Sequence, residues 1–117
     1  MSEFGSFLRE CREAKRASNR QFSVRQLAAR IGVEPSYLSK VERGQQPPPS
    51  EATIKALAAE LEQDPDVLLA MAGKVSSELQ AIIRQRPKLF AELIHQLKDM
   101  PDHAVLRLVR EVRDGDW

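Results

Sequence analysis

Ser36, Ser39 and Lys40 are polar side chains whose types and spacing fit hydrogen bonding to the edges of DNA bases. They recur at i, i+3 and i+4, so a helix would place them on one face. Their hydroxyl and ammonium groups are donors, and a hydroxyl also accepts. Leu38 and Val41, three residues apart, are expected to face inward. The pattern predicts a helix with an apolar inner face and an outer face suited to base contacts.

The helix that carries these side chains is predicted to be the second of a helix-turn-helix pair. Ser23 is a good N-cap for the first helix, and Gln26, three residues later, completes a capping-box pattern. Gly32 can take the left-handed conformation that ends a helix. Pro35 suits the first turn of the next helix, and Gly44 closes it. This layout carries a helix into the major groove.

The inner residues of the pair are spaced to pack the two helices together. Leu27, Ala28 and Ile31 share one face of the first helix, and the small Ala28 permits a close crossing. Any two amphipathic helices joined by a glycine would show a looser version of this pattern, with a purely structural role. In this sequence the small Ala28, Gly32 and the terminal 42–44 segment all lie at the spacing expected of a DNA-binding helix-turn-helix pair. This agreement favours DNA binding.

The segment 7–69 resembles the Xre-like domain of the phage repressor and Cro family. The matching parts, in chain order, are 8–15 for the first helix, 23–31 for the second, 32–33 for the turn, 37–44 for the recognition helix, 49–50, 53–54, 57–58 and Leu61 for the fourth helix, and Asp66 and 68–69 for the fifth. The resemblance implies an all-α, five-helix bundle that binds duplex DNA, usually as a dimer on a palindromic operator. In the fifth helix we expect Val67, Leu68 and Met71 to close the core.

The resemblance also implies roles for individual residues. Those at positions that contact bases in the family are Pro35, Ser36, Ser39 and Lys40. Those expected to contact the DNA backbone are Ser23, Arg25, Gln26, Tyr37, Arg43 and Gln45. For Gln45 the alternative is that it lies in a plain linker, because the triple proline that follows makes a stiff, non-helical connector.

Arg12 and Glu42 fall where the family often has a buried ion pair between the first and third helices. A largely buried Glu42 would need a partner, and loss of Arg12 would strand its charge. The alternative is that both side chains are solvated, in which case they contribute little to stability.

The chain departs from the family pattern in two places. Val24 stands where the family usually has a glutamine that touches a phosphate, so that contact is missing or passes to Arg25 or Gln26. The link 17–22 between the first two helices is longer than usual, and it is polar apart from Phe22, which we expect to tuck under the second helix. Arg16 and Arg20 of this region either reach the DNA backbone or are solvated.

Residues 74–117 are predicted to form an extension of about three amphipathic helices after a DNA-binding domain at 1–73. Pro87 and Pro101 mark helix starts. The apolar residues at helical spacing are Leu89, Phe90, Leu93, Ile94, Leu97, Val105, Leu108, Val109 and Val112. Three such helices make a poor core alone, so we expect them to dimerise. The alternatives are packing on 1–73 or binding a second protein, such as a toxin or a regulatory protease.

The charge distribution agrees with a DNA-binding first half. The net charge of the 117 residues is only +1, yet residues 1–43 hold nine basic and five acidic side chains, a net charge of +4. Residues 44–75 carry −3 and residues 76–117 are neutral. Positive charge is therefore concentrated where a phosphate-facing surface needs it.

Other function classes find little support in the sequence. Cys11 is the only cysteine, expected as a structural thiol rather than a redox sensor, and His95 and His103 lie on different predicted elements, so no metal site or cofactor is expected. Gly-rich phosphate loops, nucleophile elbows and HExxH motifs are missing, so we expect no catalytic residues and no enzyme. Without a secretory or membrane-spanning segment, the expectation is a cytoplasmic, dimeric repressor.

Overall fold

The computed structural model describes residues 3–115, and they form eight α-helices and one 3₁₀ turn. The helices are α1 (Glu3–Arg16), α2 (Val24–Ile31), α3 (Pro35–Glu42), α4 (Glu51–Leu61), α5 (Pro65–Met71), α6 (Ser77–Gln85), α7 (Pro87–Leu97) and α8 (Asp102–Asp114), with the 3₁₀ turn at Arg20–Phe22 between α1 and α2. The predicted fold class, five helices followed by about three more, is confirmed.

The first five helices enclose one apolar core. Its buried side chains come from every helix of the group: Phe4, Leu8, Leu27, Ala28, Leu38, Val41, Ile54, Leu57, Ala58, Leu61, Leu68 and Leu69. α3 packs between α1 and α2, while α4 and α5 pack on each other. The inner faces predicted for α2 and α3 are therefore the buried ones.

The starts of α2, α4 and α5 are capped by side chains. The Ser23 hydroxyl accepts from the amide of Gln26 at 3.2 Å. The other half of the predicted capping box is replaced, since the Ser23 amide donates to the carbonyl of Arg20 at 3.2 Å. Ser50 caps α4 by accepting from Thr53 N at 3.3 Å, and the Asp64 carboxylate caps α5. These caps satisfy amides that a helix start leaves without partners.

Two glycines set the length of the helix-turn-helix pair. Gly32 has φ 78° and Gly44 has φ 73°, the left-handed region that glycine enters without steric cost. After α3, the amide of Gly44 donates to the carbonyl of Val41 at 3.1 Å. The amide of Gln45 donates to the carbonyl of Lys40 at 2.8 Å. This pair of bonds is a Schellman ending, which stops α3 at a defined residue.

The prediction for α5 is wrong in two positions. Leu68 and Leu69 are fully buried, but Val67 is 55% exposed and Met71 is 37% exposed. The buried stripe of this seven-residue helix is centred between the two adjacent leucines and continues to Ala72, which packs against the core. At 100° per residue, Val67 and Met71 lie together on a different side.

The chain divides into two compact units, one ending at Ser76 and one beginning at Ser77. In the second unit α6 and α7 pack together, and no side chain of residues 77–115 is buried. The boundary after residue 73 stays a prediction. Within residues 3–115, no helix combines the length and apolar character needed to cross a bilayer.

Candidate nucleic-acid interface

The outer face of α3 carries the four residues predicted to contact bases. Pro35 occupies the first helical turn, and Ser36 and Lys40 are exposed one turn apart. Ser39 lies between them and is half-buried. The Lys40 ammonium has no carboxylate partner among residues 3–115, so it is available to a ligand. The arrangement is a short helix with one face fixed in the core and hydrogen-bonding groups on the other.

The residues predicted to contact the DNA backbone flank this face. Arg25 and Gln26 are exposed in the first turn of α2, and Arg43 and Gln45 are exposed just after α3. The Ser23 hydroxyl is committed to capping α2. Ser23 and Tyr37 are half-buried, and Tyr37 packs against the core.

A buried ion pair fixes the end of α3 to α1. Arg12 Nε donates to Glu42 Oε2 at 2.7 Å, and Arg12 Nη2 donates to Glu42 Oε1 at 3.0 Å. The side chains are only 4% and 5% exposed. The same guanidinium also donates to the Phe22 carbonyl at 3.2 Å and to Glu13 at 3.1 Å. Of the two readings left open by the sequence, the structure therefore has the buried pair and not the solvated charges.

The electrostatics of the pair follow from its geometry. Hydrogen bonding to Glu42 raises the pKa of Arg12 above its ordinary value, although burial acts in the opposite direction. A raised pKa for a base means that its stabilising charge is present at all lower pH values and is lost only as pH rises through that pKa. The guanidinium is therefore charged across the physiological range and neutralises the buried carboxylate.

Gly5 is a positioning residue that the sequence analysis missed. A Cβ atom on Gly5 would lie 2.5 Å from the Val41 carbonyl oxygen and 2.6 Å from that of Glu42. Only a glycine lets α1 approach the last turn of α3 this closely. An isolated glycine inside a helical pattern was the available signal, because such a residue often has a packing reason.

The longer link between α1 and α2 is held by two cations around one ring. Phe22, half-buried against the core as expected, has the Lys15 ammonium 5.5 Å and the Arg30 guanidinium 4.9 Å from its ring centroid. Arg30 also donates to Glu60 at 2.7 Å, and Lys15 donates to Glu62 at 2.9 Å. These contacts fix the 3₁₀ turn that leads into α2.

Comparisons with known proteins identify the family of this domain. A sequence profile described as a helix-turn-helix domain matches residues 3–71, which is α1 to α5. The chain belongs to the helix-turn-helix domain family. The predicted family is thereby confirmed, and the matched segment of this helix-turn-helix protein contains every residue predicted to contact DNA.

Two curated relatives come from Bacillus subtilis (strain 168). The HTH-type transcriptional regulator RghRB is 42% identical over 77 residues, which are 66% of this chain and 52% of the relative. The HTH-type transcriptional repressor RghR is 36% identical over 81 residues, or 69% of this chain and 56% of the relative. This helix-turn-helix protein thus spans about half the length of the curated relatives it matches. A solved SinR protein/SinI protein complex covers 81% of this chain and 94% of its own chain, at 25% identity and a TM-score of 0.48.

Two of the helices beyond the matched segment, α7 and α8, carry an apolar groove. Between α7 and α8 a groove of about 480 Å³ is lined by Leu93, Leu97, Val105, Leu108, Val109, Val112 and Arg113. Several more apolar side chains of these helices are exposed, among them Leu89 at 64% and Ile94 at 48%. The structure therefore brings the residues predicted for dimerisation together on two neighbouring helices and leaves much of their surface uncovered.

Cys11, His95 and His103 belong to no metal-binding cluster within residues 3–115. Cys11 is half-buried against the core, and burial raises the pKa of its thiol, as does the Glu10 charge, while Lys15 lowers it. A raised pKa leaves less of the reactive thiolate, so the thiol suits a structural role better than redox sensing. Among residues 3–115, no three side chains of metal-binding type come together.

Proposed function

We propose that this protein is a sequence-specific DNA-binding transcriptional regulator that inserts α3 into the major groove. The observation that carries the proposal is the two-sided character of α3. Its inner face and its end are fixed by Leu38, Val41 and the buried Glu42, while Ser36 and Lys40 are exposed. The names of both Bacillus subtilis relatives, a transcriptional regulator and a transcriptional repressor, support it.

In the proposed complex, base and backbone contacts come from different parts of the domain. Pro35, Ser36, Ser39 and Lys40 face the base edges. Ser23, Arg25, Gln26, Tyr37, Arg43 and Gln45 contact the backbone. Backbone contacts fix the register of the protein on the duplex, and base contacts select its sequence. Repression would then be steric, with the bound protein occupying a promoter.

Lys40→Ala tests the base contacts. We expect the substitution to weaken binding to a selected duplex by about 1–3 kcal/mol and to relax sequence preference at one position. The duplex comes from selection out of a random pool by the unmodified protein, and affinities are measured by fluorescence anisotropy on selected and scrambled duplexes. Lys98→Ala, at an exposed position with the same charge loss, is the control and should bind both duplexes unchanged.

Two results would count against this assignment. Equal losses for Lys40→Ala on both duplexes would mean that Lys40 touches only phosphate. Failure of the unmodified protein to bind any duplex from the pool at micromolar concentration and low salt would remove the proposed function.

We also propose that residues 74–117 are a dimerisation region for the DNA-binding domain at 1–73. A single helix-turn-helix reads few base pairs, and two copies one helical turn apart make specific binding to a palindrome possible. The exposed apolar side chains of α7 and α8 support this, because monomeric proteins rarely leave a contiguous apolar surface uncovered. That the protein needs no cofactor and catalyses no reaction stays a prediction, as does its cytoplasmic location.

Leu93→Glu tests the dimerisation region, since Leu93 lines both the α7–α8 groove and a smaller pocket beside it. A carboxylate buried without a partner in an apolar interface is costly. We therefore expect the dissociation constant of the dimer to rise roughly 100-fold, which corresponds to about 2.7 kcal/mol. Analytical ultracentrifugation measures the change. Arg107→Glu, an exposed charge reversal on α8, should leave the dimer intact.

A monomeric unmodified protein at all concentrations would contradict the dimer. The apolar surface would then fit the alternative function, an antitoxin-type or protease-controlled module whose C-terminal helices bind another protein. Isolation of a stable one-to-one complex with a different chain from the native host would separate that alternative from a simple monomer.

A further inference from the structure

Phe22 lies in the long link between α1 and α2, where the ends of three helices meet. The Lys15 ammonium, in the last turn of α1, is 5.5 Å from the centroid of its ring, and the Arg30 guanidinium, in the last turn of α2, is 4.9 Å from it. Each cation also pairs with a carboxylate at the end of α4, Lys15 with Glu62 and Arg30 with Glu60. These five residues, the Phe22 cluster, therefore join the link to α1, α2 and α4 at once.

The Arg30 side of the Phe22 cluster is the better shielded from water. Arg30 Nε donates to Glu60 Oε1 at 2.7 Å, and the two side chains are each 29% exposed. Glu62, the partner of Lys15, is 80% exposed, and pairs of that kind contribute little. Arginine also stacks its planar guanidinium on an aromatic face, whereas the lysine ammonium is a compact point charge. Arg30 is therefore the cation on which the position of the ring mainly depends.

Arg30 connects the end of α2 to the segment that precedes its start. Long side chains on a helix lean toward its N-terminus. In this direction Arg30 Nη1 donates to the Gln21 carbonyl, two residues before the Ser23 cap. The link has internal bonds too, since the Gln21 amide donates to the Asn19 side chain at 2.9 Å and the Phe22 amide donates to the Asn19 carbonyl at 3.1 Å. A shift of the Phe22 ring would therefore carry Ser23 and the first turn of α2 with it.

The first turn of α2 carries two of the side chains proposed to contact the DNA backbone. Arg25 and Gln26 are both exposed there, and the Gln26 amide donates to the Ser23 hydroxyl at 3.2 Å. Backbone contacts set the register of a protein on the duplex. Their strength therefore depends on where this turn is held.

We propose that Phe22 and Arg30 are positioning residues for DNA binding, which hold the first turn of α2 where Arg25 and Gln26 reach the DNA backbone. The inference rests on the proposed function, and it adds two residues that act through others and not by touching DNA. It also gives the long α1–α2 link a function, because the link places the aromatic ring on which Arg30 stacks.

Phe22→Leu in the full chain tests the proposal without changing the net charge. The variant lacks the ring that Arg30 stacks on, so we expect affinity for duplex to fall about five-fold on the selected and the scrambled sequence alike. Affinity is measured from about 50 to 300 mM KCl, because loss of the Arg25 contact lowers the slope of log affinity against log salt by about 0.9 per chain. A smaller folded fraction would lower affinity without changing this slope. The chemical shift of the Gln26 amide should change as well, since its bond to the Ser23 hydroxyl is disturbed.

Three further variants make the test specific. Phe7→Leu removes another ring that is half-buried against the core, and it should leave the slope and the Gln26 shift unchanged. Phe22→Tyr keeps a ring for Arg30 and should bind duplex like the unmodified protein. Arg30→Lys keeps the charge but loses the planar group, so we expect the same losses as for Phe22→Leu.

A folded Phe22→Leu variant with unchanged affinity and slope would overturn the proposal. A loss confined to the selected sequence would also overturn it, because base contacts of α3 would then be affected, and so would equal effects in Phe7→Leu. If Phe22→Leu does not fold, unchanged affinity and slope in Arg30→Lys would have the same meaning. If the unmodified protein binds no duplex at all, the proposed function fails and this inference fails with it, whereas the other outcomes leave the proposed function intact.

Discussion

Arg12→Met is expected to destabilise the protein by about 3–5 kcal/mol, the largest effect of any single substitution considered. The substitution leaves the Glu42 carboxylate, whose side chain is 5% exposed, without its bidentate partner. It also removes the donor to the Phe22 carbonyl at the entry to α2. Since whole domains are stable by only about 5–15 kcal/mol, this loss is a large fraction of the total stability. Urea denaturation followed by circular dichroism measures the loss.

The matched control is Lys15→Met, which removes a lysine from the same helix. Lys15 pairs with Glu62, whose side chain is 80% exposed, and such surface pairs contribute about 0–1 kcal/mol. A double substitution, Arg12→Met with Glu42→Met, should recover much of the stability, because no unpaired charge then stays in the core. Equal losses for Arg12→Met and Lys15→Met would contradict a structural role for the buried pair.

The parts of the fold that depend on local spacing could be predicted from the sequence. The cap at Ser23, the glycines that end helices at 32 and 44 and the inner stripes of α2 and α3 involve residues within one or two turns of each other. The predicted outer face of α3 has the same origin, since three side chains at i, i+3 and i+4 share one face of any helix.

Contacts between distant parts of the chain could not be predicted in this way. Arg30 and Glu60 are 30 residues apart, and nothing in either local pattern selects the other as a partner. Arg12 and Glu42 are equally distant, and only the family resemblance connected them. The error at Val67 and Met71 has a related cause. A seven-residue helix is too short for periodicity alone to fix which face is buried.

The same difference between local patterns and contacts of distant residues holds for the candidate site. The residues predicted to contact bases lie within one helix and were visible as a pattern, whereas the polar pocket lined by Arg9, Val24 and Arg43 draws on three elements. Arg9 is one of several charged residues of α1 in the sequence, and it becomes distinct only when folding places it near Arg43 and Val24.

Gly5→Ala is expected to destabilise the protein by roughly 1–3 kcal/mol, the usual range for adding a methyl group where there is no room. Helix propensity alone predicts the opposite sign, because alanine is favoured over glycine by about 1 kcal/mol inside a helix. The new Cβ would meet backbone carbonyl oxygens of α3 at 2.5 and 2.6 Å, and backbone cannot rotate away as a flexible side chain can. α1 would have to move from the end of α3. Urea denaturation of the full chain measures the sign as well as the size of the effect.

Ala14→Gly, at an exposed position of the same helix, calibrates the propensity term and should cost about 1 kcal/mol. Because α1 and the Glu42 end of α3 are displaced in Gly5→Ala, duplex affinity should fall even where the variant stays folded. Self-association, which we assign to α7 and α8, should stay unchanged in ultracentrifugation. An increase in stability for Gly5→Ala would show that α1 does not need this close approach. The position of α3 would then depend on the ion pair and the apolar core alone.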